Sequence, residues 1–195
     1  MKRTTTILAL IIAFMGVCGV ASAQSAQTPK QQARAQARAA KKAAMQEANQ
    51  EAFQKAETAI EEKNWVLTAN TLYGPDGNSY VVSGMTNFIQ FDGNTVYLQL
   101  AFNDVVNGPN GLGGITLEGS PSGMQMTTTK NGGIIYDFDV NGMTLNADVQ
   151  ITVNAGNNYA TGTVYPAFSS NNLTFSGYLV PTSESGIYRS GFVTP

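Results

Sequence analysis

At 195 residues the chain accommodates one domain with an appendage, because two full-sized domains would leave both cores undersized. It has no histidine and a single cysteine, which excludes Ser-His-Asp triads and removes the commonest zinc ligands. The formal charge of −2 hides an asymmetry: Lys30, Arg34, Arg38, Lys41 and Lys42 form a purely basic stretch, whereas beyond Asn64 only Lys130 and Arg189 are basic, against Asp76, Asp92, Asp104, Glu118, Asp137, Asp139, Asp148 and Glu184. That mildly acidic, charge-poor C-terminal part argues against nucleic acid as a partner.

In chain order, the first feature is a secretory signal pattern: Lys2 and Arg3, an apolar run from Ile7 to Val20, then Ala21-Ser22-Ala23, which predicts cleavage after Ala23. The run is too short to span a bilayer comfortably. Cys18 lies inside it, so the mature chain from Gln24 is expected to carry no thiol and to rest on its hydrophobic core rather than on disulfides. Val17 stands where a lipoprotein signal requires a small residue, so Cys18 is not read as a lipidation site.

Between Pro29 and Lys63 the chain is mostly Ala, Gln, Lys, Arg and Glu with no internal Gly or Pro, which predicts a helix. Its first half offers only alanine as apolar surface, while Phe53, Ala56 and Ile60 form a stripe in the second half. Residues 47–62 are expected to dock on the remainder of the chain and residues 24–44 to form a basic arm, with the division near Met45.

From Trp65 the apolar period changes to two, punctuated by Asn-Gly, Asp-Gly and Gly-Gly pairs. Strands are predicted at 65–72, 80–82, 87–91, 95–103, 115–118, 124–129, 134–140, 147–153, 159–165 and 173–179. The turn pairs Asp92-Gly93, Asn131-Gly132 and Asn141-Gly142 are expected to supply the positive φ angles of tight hairpins. The fold class is therefore mainly β, an antiparallel β-sandwich or barrel-like meander preceded by one N-terminal α-helix. The segment Asp104 to Gly114, long and rich in Gly and Asn, reads either as a functional loop or as a long hairpin connection.

Several phrases stand in a characteristic order: Trp65-Val66-Leu67-Thr68-Ala69, Thr86-Asn87-Phe88-Ile89, Leu98-Gln99-Leu100-Ala101-Phe102-Asn103, Gly108-Pro109-Asn110-Gly111-Leu112-Gly113-Gly114-Ile115-Thr116, and Leu173-Thr174-Phe175-Ser176-Gly177-Tyr178-Leu179-Val180-Pro181. On these the part from Trp65 onward resembles a family of exported bacterial proteins catalogued as domain of unknown function 4251. The resemblance implies a β-rich domain in the cell envelope and carries no activity or functional residues with it.

The remaining chemistry is sparse. A Ser-Lys pair would need Lys63 at the domain edge or Lys130 in a turn, and a turn lysine keeps a high pKa and makes a poor base. Asp137 and Asp139 share one strand face at about 7 Å, a spacing suited to an acid-base pair in glycoside hydrolysis and equally to an ordinary wet face. Asp104, Asn107 and Asn110 offer oxygens for calcium without an Asp-rich loop signature. Residues Gly108 to Gly114 lack the Lys-Ser/Thr ending of a phosphate loop, and their glycines suit close approach of a ligand or chain. Tyr97, Tyr165 and Tyr178 are candidates for a sugar or peptide platform. The basic arm has the charge for anionic lipid but no Leu, Phe or Trp face for insertion.

The expectation is a non-enzymatic binding or structural domain of the bacterial envelope, with no cofactor and no metal. Its candidate contact residues are Asp104, Asn107, Asn110, Gly111, Gly113 and Gly114, and its partner an envelope protein, a glycan or a small apolar ligand. The alternatives are a carboxylate-based hydrolase acting on glycans and a carrier of a small apolar ligand inside the β-structure. A cavity and a packed core are lined by the same apolar strand faces, so the carrier alternative turns on whether the interior is filled.

Overall fold

The computed structural model describes residues 28–75, 77–101 and 114–190. Residues 1–23, expected to be a signal peptide and containing Cys18, lie outside them, as do most of the loop 104–114 and the last residues 191–195. The chain falls into two units, residues 1–39 and 40–195. The described part of the first is the opening of helix α1, which runs Pro29–Glu61.

Thr28-Pro29-Lys30-Gln31 starts that helix with one half of a capping box. Proline occupies the first helical position, and the Gln31 side chain reaches back to accept a hydrogen bond from the Thr28 amide at 3.0 Å. Every described residue up to Glu51 is exposed, and burial begins only where the apolar stripe does: Ala56, Ala59 and Ile60 are buried and Phe53 packs against the core. The helix stops where Lys63 takes a positive φ of 55°, a left-handed ending that glycine more often supplies. The Lys63 carbonyl then accepts a hydrogen bond from the Gly93 amide at 2.8 Å.

Strands β1 (Asn64–Tyr73), β2 (Ser79–Val81), β3 (Phe88–Asp92), β4 (Thr95–Leu100), β5 (Ile115–Thr128), β6 (Ile134–Asn141), β7 (Asn146–Val153), β8 (Tyr159–Pro166) and β9 (Leu173–Pro181) follow. β1 and β3 to β9 pair antiparallel in sequence order, and β9 pairs back onto β1 over Trp65↔Pro181 to Tyr73↔Thr174. The result is a closed eight-stranded up-and-down barrel, which settles the choice between sandwich and barrel. β2 is the additional strand: it lies beside the second half of β1, on the edge that β3 occupies along the first half. Gly177 makes the closure possible, because a Cβ there would overlap the Thr68 carbonyl across the seam.

Two expectations need correction. The segments 115–118 and 124–129 form a single strand, β5, with an irregularity between Ser122 and Gln125. The Ser120-Pro121-Ser122-Gly123 run between the two segments is tolerated because β4 pairs with β5 only up to Gly119. Beyond it β5 has β6 as its neighbour, and the missing Pro121 amide donor is not needed by a second strand. The Asn141-Gly142 pair is also not a positive-φ turn: Gly93 and Gly132 have φ of 60° and 83°, but Gly142 is not left-handed. The β6–β7 connection runs instead through Gly142–Leu145, and it turns Leu145 into the core.

Candidate functional site

The barrel interior is built differently at its two ends. The end where α1 enters carries the β3–β4, β5–β6 and β7–β8 turns, and it is filled. Trp65 on β1, Phe91 on β3 and Tyr136 and Phe138 on β6 form a ring cluster with centroid separations between 5.3 Å (Phe91–Phe138) and 6.3 Å (Trp65–Tyr136). Most of the contacts are tilted or edge-on, the geometry that aromatic quadrupoles prefer. The Trp65 indole N–H has no partner among the described residues. Burial pushes the Tyr136 phenol up from its ordinary range.

The opposite end is hollow. A cavity of about 380 Å³, open to solvent, is walled by Leu98, Leu100, Leu117, Leu145, Val164 and Leu173. These residues come from β4, β5, the β6–β7 connection, β8 and β9, so the pocket is the barrel's mouth. Aliphatic side chains there leave the space that the aromatic rings take at the other end.

Among the described residues, two connections organise its rim. In the first, the Thr144 hydroxyl donates to the Glu118 carbonyl at 3.1 Å and accepts from the Glu118 amide at 3.0 Å, which ties the β6–β7 connection to β5. In the second, Ala167 N–H donates to the Asn146 carbonyl at 2.9 Å, tying the segment after β8 to the start of β7. Each connection presents one large apolar side chain to water beside the opening: Met143 is 105% and Phe168 91% exposed. The described residues of the lining include no charged side chain.

Of the contact residues expected from sequence, Asp104, Asn107, Asn110, Gly111 and Gly113 lie outside the described residues. Gly114 is described: it is buried, and a Cβ there would overlap the Leu100 carbonyl. Its neighbours Leu100 and Ile115 both line the mouth. Asp137 and Asp139 lie on the outer wall, where Asp137 accepts a hydrogen bond from Gln150 Nε2 at 2.8 Å and Asp139 faces Asp148 across the β6–β7 pair. Neither lines the mouth. Among the described residues, no group of three or more Asp, Glu, His or Cys is placed to hold a metal ion.

The three tyrosines do not form a platform. Arg189 lies over the Tyr97 ring at 4.2 Å, Tyr178 packs edge-on against Tyr159 at 5.3 Å, and Tyr165 is on β8 opposite Asp148. β1 and β3 separate the strands of Tyr178 and Tyr97.

Gln99 alternates with Leu98 and Leu100, the pattern of a polar residue on the wet face of a strand, yet it is fully buried. Its Nε2 donates to the Tyr188 carbonyl at 2.8 Å and to the Thr86 carbonyl at 3.1 Å, and its Oε1 accepts from the Ser190 amide at 2.9 Å. The segment after β9 therefore crosses the outer faces of β3 and β4, fixed also by Tyr188 N–H to the Met85 carbonyl at 2.8 Å. Phe88 and Gln90 are buried on the same outward-pointing side. The only signal in the sequence was the tail itself, a stretch beyond Pro181 without a sustained period-two strand pattern.

The family model described as Domain of unknown function (DUF4251) matches residues 47–179. A crystal structure of a DUF4251 family protein from Bacteroides eggerthii is similar at 36% identity, covering 75% of this chain and 99% of its own, with a TM-score of 0.63. No curated protein matches the chain.

Proposed function

The chain belongs to the DUF4251 family, and from that premise we propose that it is a non-catalytic binding domain whose binding site is the open mouth of the barrel, working in the cell envelope after removal of residues 1–23. The observation that carries this reading is the aliphatic cavity of about 380 Å³. Its volume falls in the range of small-ligand pockets, in a barrel of the strand number that holds either side chains or one small molecule. The absence of histidine from the sequence supports binding over turnover, and the Lys2 to Ala23 pattern supports export. The outer-wall position of Asp137 and Asp139, away from the mouth, weakens the hydrolase alternative.

The test is titration with N-phenyl-1-naphthylamine, an uncharged apolar fluorophore. One saturable site is expected in the unaltered protein and its loss in Leu145→Glu. Leu173→Trp, at a half-buried position, blocks the same space without burying charge and serves if the first variant does not fold. Absence of saturable binding would overturn the assignment.

A further inference from the structure

We infer that the mouth takes the tail of a single-chain amphiphile, an unbranched acyl chain of about a dozen carbons, with its polar head left at the rim; this rests on the reading of the mouth as the binding site. Three observations converge. The first is the distribution of polarity with depth. Leu98 and Leu117 face each other as a cross-strand pair, one interior step below Leu100 and Ile115, about 7 Å by strand geometry. Leu98, Leu117 and Val164 are the deep lining and carry no polar atoms, whereas the polar side chains of the lining, Thr144, Asn146 and Ser169, belong to the rim. An ion placed at depth would lose its hydration without a partner. A molecule apolar at one end and polar at the other satisfies both levels.

The second observation is shape. The cavity opens at the mouth, and the ring cluster with Ile60 of α1 fills the far end of the same interior, so a ligand enters one end first and stops. At about 30 Å³ for a water-sized group, 380 Å³ accommodates about a dozen methylenes.

The third is the rim. Met143 and Phe168 come from different connections, line the same opening and are held in water at 105% and 91% exposure. A flexible thioether and a flat ring in these positions cover the end of a chain that reaches the opening. A ligand short enough to stay at the level of Leu98 and Leu117 leaves both unused.

The experiment is calorimetric titration of the purified chain with octanoate, decanoate, dodecanoate and hexadecanoate below their micellar concentrations, in parallel with N-phenyl-1-naphthylamine. One site is expected, with affinity rising about fourfold per added methylene up to dodecanoate and then levelling. Leu173→Trp is expected to lower dodecanoate affinity at least tenfold. Met143→Ser and Phe168→Ser are expected to lower it severalfold while leaving octanoate unchanged. If the naphthylamine binds at one site and no carboxylate does, the amphiphile is overturned and the apolar mouth stands; if neither binds, both fall. Dodecanoate binding that Leu173→Trp leaves intact, or affinity that ignores chain length, would also overturn the proposal.

Discussion

Trp65 and Leu100 both point into the same barrel, one near each end, and their surroundings differ in kind. Around Trp65, large rings and the helix residues Ala56, Ala59 and Ile60 exclude solvent. Around Leu100, aliphatic side chains surround a space open to water. The strands are common to both ends, so the difference lies in side-chain volume and in the helix residues that cover one end: residues large enough to meet across the axis make a core, and residues too small to meet make a pocket. The hollow end also draws support from outside. Gln99, between Leu98 and Leu100 on β4, grips the C-terminal segment on the outer wall, which braces that wall from outside.

The strongest way to break this contrast is Trp65→Ala, expected to cost about 3–5 kcal/mol as a cavity in a closed core. Urea unfolding followed by circular dichroism would measure it, since the variant loses the only tryptophan. Gln99→Ala should come next, at about 1–3 kcal/mol, because it removes three hydrogen bonds to part-buried main-chain groups; amide exchange should then rise at Tyr188 and Ser190 before it rises in the ring cluster. Leu173→Ala, at the half-buried lining of the mouth, should cost about 1 kcal/mol, less than the 2–5 kcal/mol of a fully buried leucine. An equal loss at Leu173 and in the filled end would show that the mouth is packed like a core. Met143→Ser and Phe168→Ser should stay within about 0.5 kcal/mol by the same urea titration.

Tyr136→Phe should have the smallest effect at neutral pH. Its signature lies in alkali: the folded phenol is raised by burial, so its contribution is complete below about pH 10. It is lost as pH rises through the folded value, because the unfolded chain ionises first. The phenylalanine variant should lose less stability than the parent across that window.

Much of the architecture was legible because each wall strand has one apolar face. Ile134, Tyr136, Phe138 and Val140 alternate with outward residues in sequence and do so in the barrel. The helix was legible to within two residues, and its docking stripe of Phe53, Ala56 and Ile60 is the part that packs. What failed was non-local. The predicted strands omit the stretch between 118 and 124, although it pairs with β6, and Gln99 looked wet because its cover comes from Tyr188 and Ser190, far along the chain. The mouth was hidden for a related reason: Leu98, Leu117 and Val164 have the same identities in a pocket as in a core. Only the opposing residue across the barrel axis distinguishes the two.

The β1–β9 seam has a consequence for how the chain reaches this state. Thr68 hydrogen-bonds the Tyr178 carbonyl across a separation of 110 residues, so the first wall strand waits for the last before either has its full set of partners. Such a topology has a high contact order and folds slowly. A chain still emerging from the ribosome, or cut before Leu173, holds an open sheet whose β1 edge is a ready template for another strand. Completion of synthesis, rather than any local nucleus, is the event that lets this barrel exist.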